Sequence, residues 1–383
     1  MEIIVYYEGD ESVKSWFSSL VDMDVTYQKM PSRNDTSEYT DLPAYISDIL
    51  YLDKPDLIVS MQHDGHEKPL LSIEFACCTP QYQHSLQRFS RMLASISSGC
   101  PSILVIPSIK RENSGERIYK RSVAIEYGAV RLMDVFKTPC FVLDWPSDEN
   151  HFLINEKNTQ YPLIDSKGIQ YLKQFIFECI KSREDINYIE SLSKKKLVST
   201  LTDMIRTNAY RAGVPSISNP GGGDKNSAVK LELIDTQELI NKISASSPLH
   251  KALCSKIPSY ILDRKESLVF YPTRITAHAG DPYVGMIGYY DIAFARFGKS
   301  TRERYHNMVA YAENVSIKEI TDVMGKFVAK TCPFNNPFEP KNAKTYNYHM
   351  RYGCKETKSK PVRIYAELAD IVIFKDGVLF NAG

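Results

Sequence analysis

Two carboxylates in this chain stand where a carboxylate needs a reason. Asp56 follows Pro55 and opens the apolar run Leu57-Ile58-Val59, and Glu74 sits inside Ser72-Ile73-Glu74-Phe75-Ala76. Strand alternation puts Asp56, Ile58 and Ser60 on one face of the first run, and Ser72, Glu74 and Ala76 on one face of the second. A lone charge in an apolar strand is expensive, so a partner or a metal is expected beside it. Two carboxylates facing the same way on neighbouring strands make a hard-oxygen site suited to Mg2+. That ion takes one or two carboxylates and completes its shell with water and phosphate oxygens. It would activate a water and stabilise charge on a phosphodiester under attack. The plainer reading is that Asp56 is only a turn residue after proline and that Glu74 forms a buried salt bridge with Arg88 or Arg91.

The surrounding pattern supplies elements to hold the pair. Ile3 to Tyr7 reads as a strand, and Asp10 to Val21 as a helix with Val13, Trp16, Phe17 and Leu20 on one face. Asp24 to Tyr27 reads as another strand, and Arg33 to Tyr39 as a polar turn. Leu57 to Val59 and Leu70 to Ala76 are predicted to form a hairpin around a turn at His63 to Lys68, where His63 and His66 read as solvated. Gln81 to Ser98 is helical, with Leu86, Phe89, Leu93 and Ile96 as its apolar stripe, and Ser102 to Ile106 is a buried strand. Gln81, His84, Arg88 and Arg91 recur at spacings of three and four, which predicts a polar face opposite that stripe.

The Pro55-Asp56 dipeptide, Glu74 at the end of an apolar strand, and the order of elements around them resemble the PD-(D/E)XK nuclease superfamily, the fold of many type II restriction enzymes. The resemblance covers roughly residues 1–110. It implies a restriction-endonuclease-like mixed sheet flanked by helices, in which the next helix and strand pack back on the sheet. It further implies Asp56 and Glu74 as catalytic metal ligands, Mg2+ as cofactor, and double-stranded DNA as substrate, cut by a homodimer. The sequence departs from the family at Ala76, where the motif lysine would stand and where alanine cannot position water or neutralise transition-state charge. Lys68, six residues before Glu74, is roughly 20 Å away along an extended strand. By the same resemblance Gln81 and His84, on the following helix, are assigned the missing role, and Glu8 or Glu11 could supply an extra acid.

At 383 residues the chain predicts two domains. A hydrophobic share of 43% and a charged share of 24% are those of a globular protein able to bury a core. A net charge of +1 gives no global field toward nucleic acid, although a local basic cleft is enough for an enzyme acting on DNA. Eight cysteines without a CxxC pair argue against a zinc knuckle and for reduced thiols in the cytoplasm. Apolar runs fall short of the ~20 residues of a membrane span, and no GxxxxGK[ST] loop is present, so neither a membrane nor a nucleotide cofactor is expected.

Residues 1–211 read as a nuclease-like α/β domain with a helical extension, mostly helical over Lys167 to Tyr210. Residues 212–227, with their Gly221-Gly222-Gly223 run, read as a flexible linker or loop. Residues 228–383 read as an α+β domain for DNA recognition or dimerisation. In it Glu232 to Ser244 is a helix, Asp281 to Arg296 a loop followed by a core strand, and Ala366 to Phe380 a hairpin turning at Asp376-Gly377. Thr301 to Tyr305 and Lys341 to Arg363 mix basic and aromatic residues in a manner suited to phosphate contacts, with a solvated surface as the commoner reading of such a mixture. The functional expectation is a Mg2+-dependent DNA endonuclease similar to a type II restriction enzyme. The alternatives are a catalytically inactive nuclease-fold DNA-binding protein and an unrelated α/β enzyme.

Overall fold

The β-branched and aromatic run after Glu2 forms β1 (Glu2–Tyr7), a strand buried along most of its length, in a computed structural model of the chain. The structure describes residues 2–9, 11–31, 42–63, 65–77, 82–112, 115, 117–156, 160–211, 213–217, 230–246, 248–255, 257–271, 277–312, 345–346, 360–375 and 377–380. Two compact units are formed, one from residues within 1–31 and 42–216 and the other from residues within 224–383. The protein is a mixed α/β chain with two six-stranded sheets and one two-stranded ribbon among the described residues. No described helix is long and apolar enough to cross a membrane.

In the first unit β1 is followed by α1 (Ser12–Leu20), β2 (Val25–Lys29), α2 (Ala44–Leu52), β3 (Leu57–His63) and β4 (His66–Phe75). Next come α3 (Tyr82–Gln87), α4 (Phe89–Ser97), β5 (Ser102–Ile106), the ribbon strands β6 (Ile109–Arg111) and β7 (Ile118–Lys120), α5 (Val123–Phe136) and β8 (Cys140–Asp144). The unit closes with α6 (Lys167–Ser182), α7 (Tyr188–Ser193) and α8 (Lys196–Arg211). The sheet order is β2-β1-β3-β4-β5-β8. β1 pairs antiparallel with β3, and β3 antiparallel with β4; β4, β5 and β8 run parallel. Parallel strands covered on both faces read as continuous apolar runs, which is why Ser102–Ile106 is buried throughout. Helix α6 lays its Ile169, Leu172, Phe175, Ile176 and Cys179 stripe against the sheet, and Phe175 meets Phe141 of β8 edge to face at 5.3 Å.

Several elements differ from the sequence reading. The turn expected over His63 to Lys68 is much tighter, because both strands run on until His63 pairs with His66. The helix expected over Gln81 to Ser98 breaks at Arg88 into α3 and α4. The apolar stripe is nonetheless real: Leu86, Phe89, Leu93 and Ile96 are all buried. Of the expected polar face, Arg91 points inward, at 7% exposure. Helix α2, the ribbon β6–β7 and helix α5 were not legible from periodicity.

In the second unit β9 (Lys230–Asp235) precedes α9 (Thr236–Ser246), so the helix expected from Glu232 begins only after a strand. Then follow α10 (Pro248–Cys254), α11 (Ser259–Leu262), β10 (Glu266–Tyr271), α12 (Ala277–Tyr290), β11 (His306–Ala312) and β12 (Thr345–Tyr346). The chain ends in α13 (Lys360–Leu368), β13 (Ile371–Phe374) and β14 (Gly377–Phe380), with sheet order β12-β14-β13-β11-β10-β9. The expected C-terminal hairpin is formed by β13 and β14, with Asp376 outside the described residues. The loop and core strand expected at Asp281 to Arg296 are instead the end of α12 and one π-helical turn, Asp291–Ala295. Tyr283, Val284, Met286, Ile287, Tyr289 and Tyr290 are all buried, as in a helix that is apolar all round. The polar turn at Arg33 to Tyr39, residues 218–227 of the linker and most of Lys341 to Arg363 lie outside the described residues.

Candidate active site at the β3–β4 end

Helix α2 stops at Leu52, and the chain runs extended through Asp53 and Lys54 because Pro55 disfavours a helical residue before it. This brings Asp56 to the start of β3. The register Leu57↔Ile73 and Ile58↔Ser72 sets Asp56 opposite Glu74, and opposite residues of an antiparallel pair share a face. Two hydrogen bonds tie them: the Asp56 backbone N–H donates to Glu74 Oε2 at 3.2 Å, and the Phe75 N–H donates to Asp56 Oδ2 at 2.7 Å. Phe75 points to the other face, where Trp16 at 5.0 Å and Tyr161 at 5.2 Å pack against its ring. That aromatic clamp fixes the end of β4 and with it the direction of Glu74.

Glu74 is 1% exposed and is met by the helix that follows. Arg88 Nη1 donates to Glu74 Oε1 at 3.0 Å, and Arg91 Nη1 donates to the same oxygen. Arg91 Nη1 also lies 3.5 Å from Asp56 Oδ1, and Arg91 Nε lies 3.9 Å from Asp53 Oδ1. Asp53 accepts from Ser90 Oγ as well. Lys54 Nζ donates to the Pro31 carbonyl at 3.0 Å and sits 3.3 Å from Glu8 Oε1. The described cluster thus holds four carboxylates, Glu8, Asp53, Asp56 and Glu74, against three cations, Lys54, Arg88 and Arg91. Burial and the neighbouring Glu74 charge push the Asp56 carboxyl up to about 8, although Arg91, the Phe75 N–H and Arg88 pull the other way. A quarter of the Asp56 side chain, 25%, still meets solvent, so Asp56 lies at an open edge of the cluster while Glu74 is enclosed.

Among the described residues no group of three or more His, Cys, Asp and Glu side chains is arranged to hold a metal. A metal centre here would rest on Asp56 and Glu74 alone. In kind the pair fits a hard cation: two carboxylates on one face, one at a solvent edge, in a cluster with one more acid than base. The Arg91 guanidinium now touches both carboxylates, so an ion binding there would share Glu74 with it.

The other residues singled out in the sequence fall elsewhere. Gln81 and the side chain of His84 lie outside the described residues. Glu8 is drawn to Lys54, while its backbone N–H donates to the Asp56 carbonyl at 2.8 Å. Glu11 pairs with Lys14 and accepts from Tyr7 at 2.7 Å on the surface. Lys68, His63 and His66 line a cavity of about 480 Å³ with Met61, Arg183 and Glu184, at the opposite end of β3 and β4. Arg304 of the Thr301 to Tyr305 segment is buried, its Nε 2.7 Å from Asp291 Oδ1 and its Nη1 3.1 Å from Asp370 Oδ1. It is a core ion pair and not a surface contact. The residue whose importance sequence reasoning understated is Arg91. Its signal was present as a basic residue within an otherwise apolar helix, three positions after Arg88, but only as the partner of a salt bridge. No family model, curated protein or solved structure matches the chain.

Proposed function

We propose that the chain is a Mg2+-dependent endodeoxyribonuclease with a restriction-endonuclease-like first domain, similar to a type II restriction enzyme. The observation that carries this reading is the placement of Asp56 and Glu74 opposite one another at the open end of two paired strands. The element order supports it, since α4 packs back against β4 and β5, and β5 runs parallel to β4. Asp56 and Glu74 would hold the ion, which when bound lowers the pKa of a water and polarises the phosphodiester. Arg91 takes the part that Ala76 cannot. Its Nη1 meets both carboxylates and would bring fixed positive charge to the place where a phosphodiester gains negative charge. Arg88 completes the orientation of Glu74. Gln81 and His84 keep the water-positioning role that the resemblance gives them. A homodimer on double-stranded DNA, with the second unit serving recognition or dimerisation, completes the proposal.

One observation favours a second reading. Glu74 is already neutralised by two arginines and so is less available to a metal, which with Ala76 favours a nuclease fold that binds DNA without cutting it. Incubation with plasmid and phage DNA, in Mg2+ or in EDTA, followed by end mapping, separates the two. Cleavage with defined ends only in Mg2+ is expected. Binding without cleavage points to the second reading, and absence of DNA affinity points to an unrelated α/β enzyme.

A further inference from the structure

The ribbon β6–β7 is the one described sheet that joins neither six-stranded sheet. Its register pairs Lys110 with Tyr119 and Arg111 with Ile118, and the Glu112 N–H continues the ladder to the Arg117 carbonyl at 2.7 Å. An isolated two-stranded ribbon is marginal in water, so it needs anchoring. Arg121 supplies it at the root, donating through Nη1 to the Ile106 carbonyl at 2.6 Å and through Nη2 to Glu126 at 2.8 Å. Arg111 supplies it along the side, donating through Nε to the Asn150 carbonyl at 2.8 Å. The ribbon is therefore anchored at its root and along one side, while its outer residues Arg117, Ile118 and Lys120 remain exposed.

Its location ties it to the candidate site. β5, which leads into the ribbon, runs parallel to β4, so both reach the same end of the sheet. Lys110 Nζ donates to the Cys77 carbonyl at 2.5 Å, three residues beyond Glu74. Of the basic residues here, Arg111 and Arg121 serve the anchor and Lys110 holds the Cys77 carbonyl, which leaves Arg117 and Lys120 as the exposed charges. We propose that this ribbon grips duplex DNA at the mouth of the candidate site, with Arg117 and Lys120, on opposite faces of the ribbon strand, each on a backbone phosphate. The proposal rests on the nuclease reading and names the element that presents the substrate to it. A two-stranded ribbon fits the major groove of B-form DNA, about 12 Å wide. The deep, narrow major groove of A-form RNA does not admit it.

The test is a titration of a short mixed-sequence duplex into the full-length protein with Ca2+ in place of Mg2+, at several salt concentrations. Wild type is compared with Arg117→Ala/Lys120→Ala, and with Lys194→Ala/Lys242→Ala, two exposed lysines elsewhere that remove the same total charge. Each lost phosphate contact lowers the slope of log affinity against log salt by about 0.9, so the ribbon variant is expected to bind more weakly with a slope smaller by about 1.8. The control pair is expected to behave as wild type. Unchanged affinity and slope in the ribbon variant overturns the proposal while leaving the nuclease reading intact. An equal loss in the control variant overturns it as a net-charge effect, and equal ribbon-dependent binding of duplex RNA overturns the groove fit. A wild-type protein with no affinity for duplex DNA removes both the proposal and the reading beneath it.

Discussion

Replacing Glu74 by alanine leaves Arg88 and Arg91 without the acceptor they share, one of them buried to 7% exposure. Breaking a buried ion pair from one side costs about 3–5 kcal/mol. Glu74→Ala is therefore expected to destabilise the first unit by that amount and Glu74→Gln by less, because the amide keeps the shape and one acceptor oxygen. Both tryptophans, Trp16 and Trp145, are buried in this unit, so urea denaturation followed by tryptophan fluorescence reads the effect directly. Arg91→Met, checked for folding in the same way, is expected to lose cleavage by about 10²-fold, the usual cost of one preorganised donor. Ala76→Lys in that background is expected to restore part of it, since position 76 shares the face of Glu74; no restoration would argue against Arg91 standing in for the motif lysine. The carboxylate pair was legible in the sequence because strand alternation is a period of two, and the pairing register then leaves little choice. A buried salt bridge from Glu74 to Arg91 was also among the readings and is formed, whereas the part proposed for Arg91 in catalysis was not legible. Whether a basic residue in an apolar helix points to water or to a buried carboxylate depends on the strands packed beneath it, here β4 and β5, which local sequence does not signal.

Elements were legible in proportion to how strictly their pattern repeats. The α1 face and the α4 stripe follow helical periodicity, and both stripes are buried. The segment Asp281 to Arg296 misled because its glycines and aromatics mimic a loop and strand, whereas the residues of α12 from Tyr283 to Tyr290 are all surrounded by protein. Asp291, which follows that helix, is fully buried between Arg296 and Arg304. Burial alone would raise its pKa, but the two guanidinium groups overcome this and hold it below the usual carboxylate value. A depressed acid contributes stability that is fully present above its unfolded value, near 3.8, and is lost as pH falls through its folded value. Asp291→Asn is accordingly expected to destabilise the second unit at neutral pH and to match wild type only once Asp291 itself is protonated, below about pH 3.8. Hydrogen exchange in β10, β11 and β13 provides the measurement; a difference that persists unchanged in acid would contradict it. At the β3–β4 turn Gly65 adopts φ +75°, a conformation that costs other residues about 1–2 kcal/mol, so Gly65→Val is expected to lower the stability of the first unit by that amount.

At the scale of the whole molecule, near-neutral net charge conceals the uneven distribution of its basic residues. Composition could not reveal the ribbon, because strands of three residues carry too little pattern to recognise. Nor could it reveal the first sheet's order, which depends on pairings between β1, β3, β4 and β5 across long stretches of chain. On the proposed nuclease reading, one Asp56–Glu74 pair per chain would cut one strand at a time, so a double-strand break would call for two copies. Sedimentation of the protein on duplex DNA is expected to give two chains per duplex, and one chain per duplex with simultaneous double-strand cutting would contradict that arrangement. The most direct test of the carboxylate pair itself is a plasmid cleavage time course in Mg2+ for wild type, Asp56→Asn and Glu74→Gln, each first shown folded by tryptophan fluorescence and able to bind DNA in Ca2+. Metal-dependent cutting by wild type and none by either folded, DNA-binding variant is the result expected. Cutting at the wild-type rate by either variant would contradict the assignment.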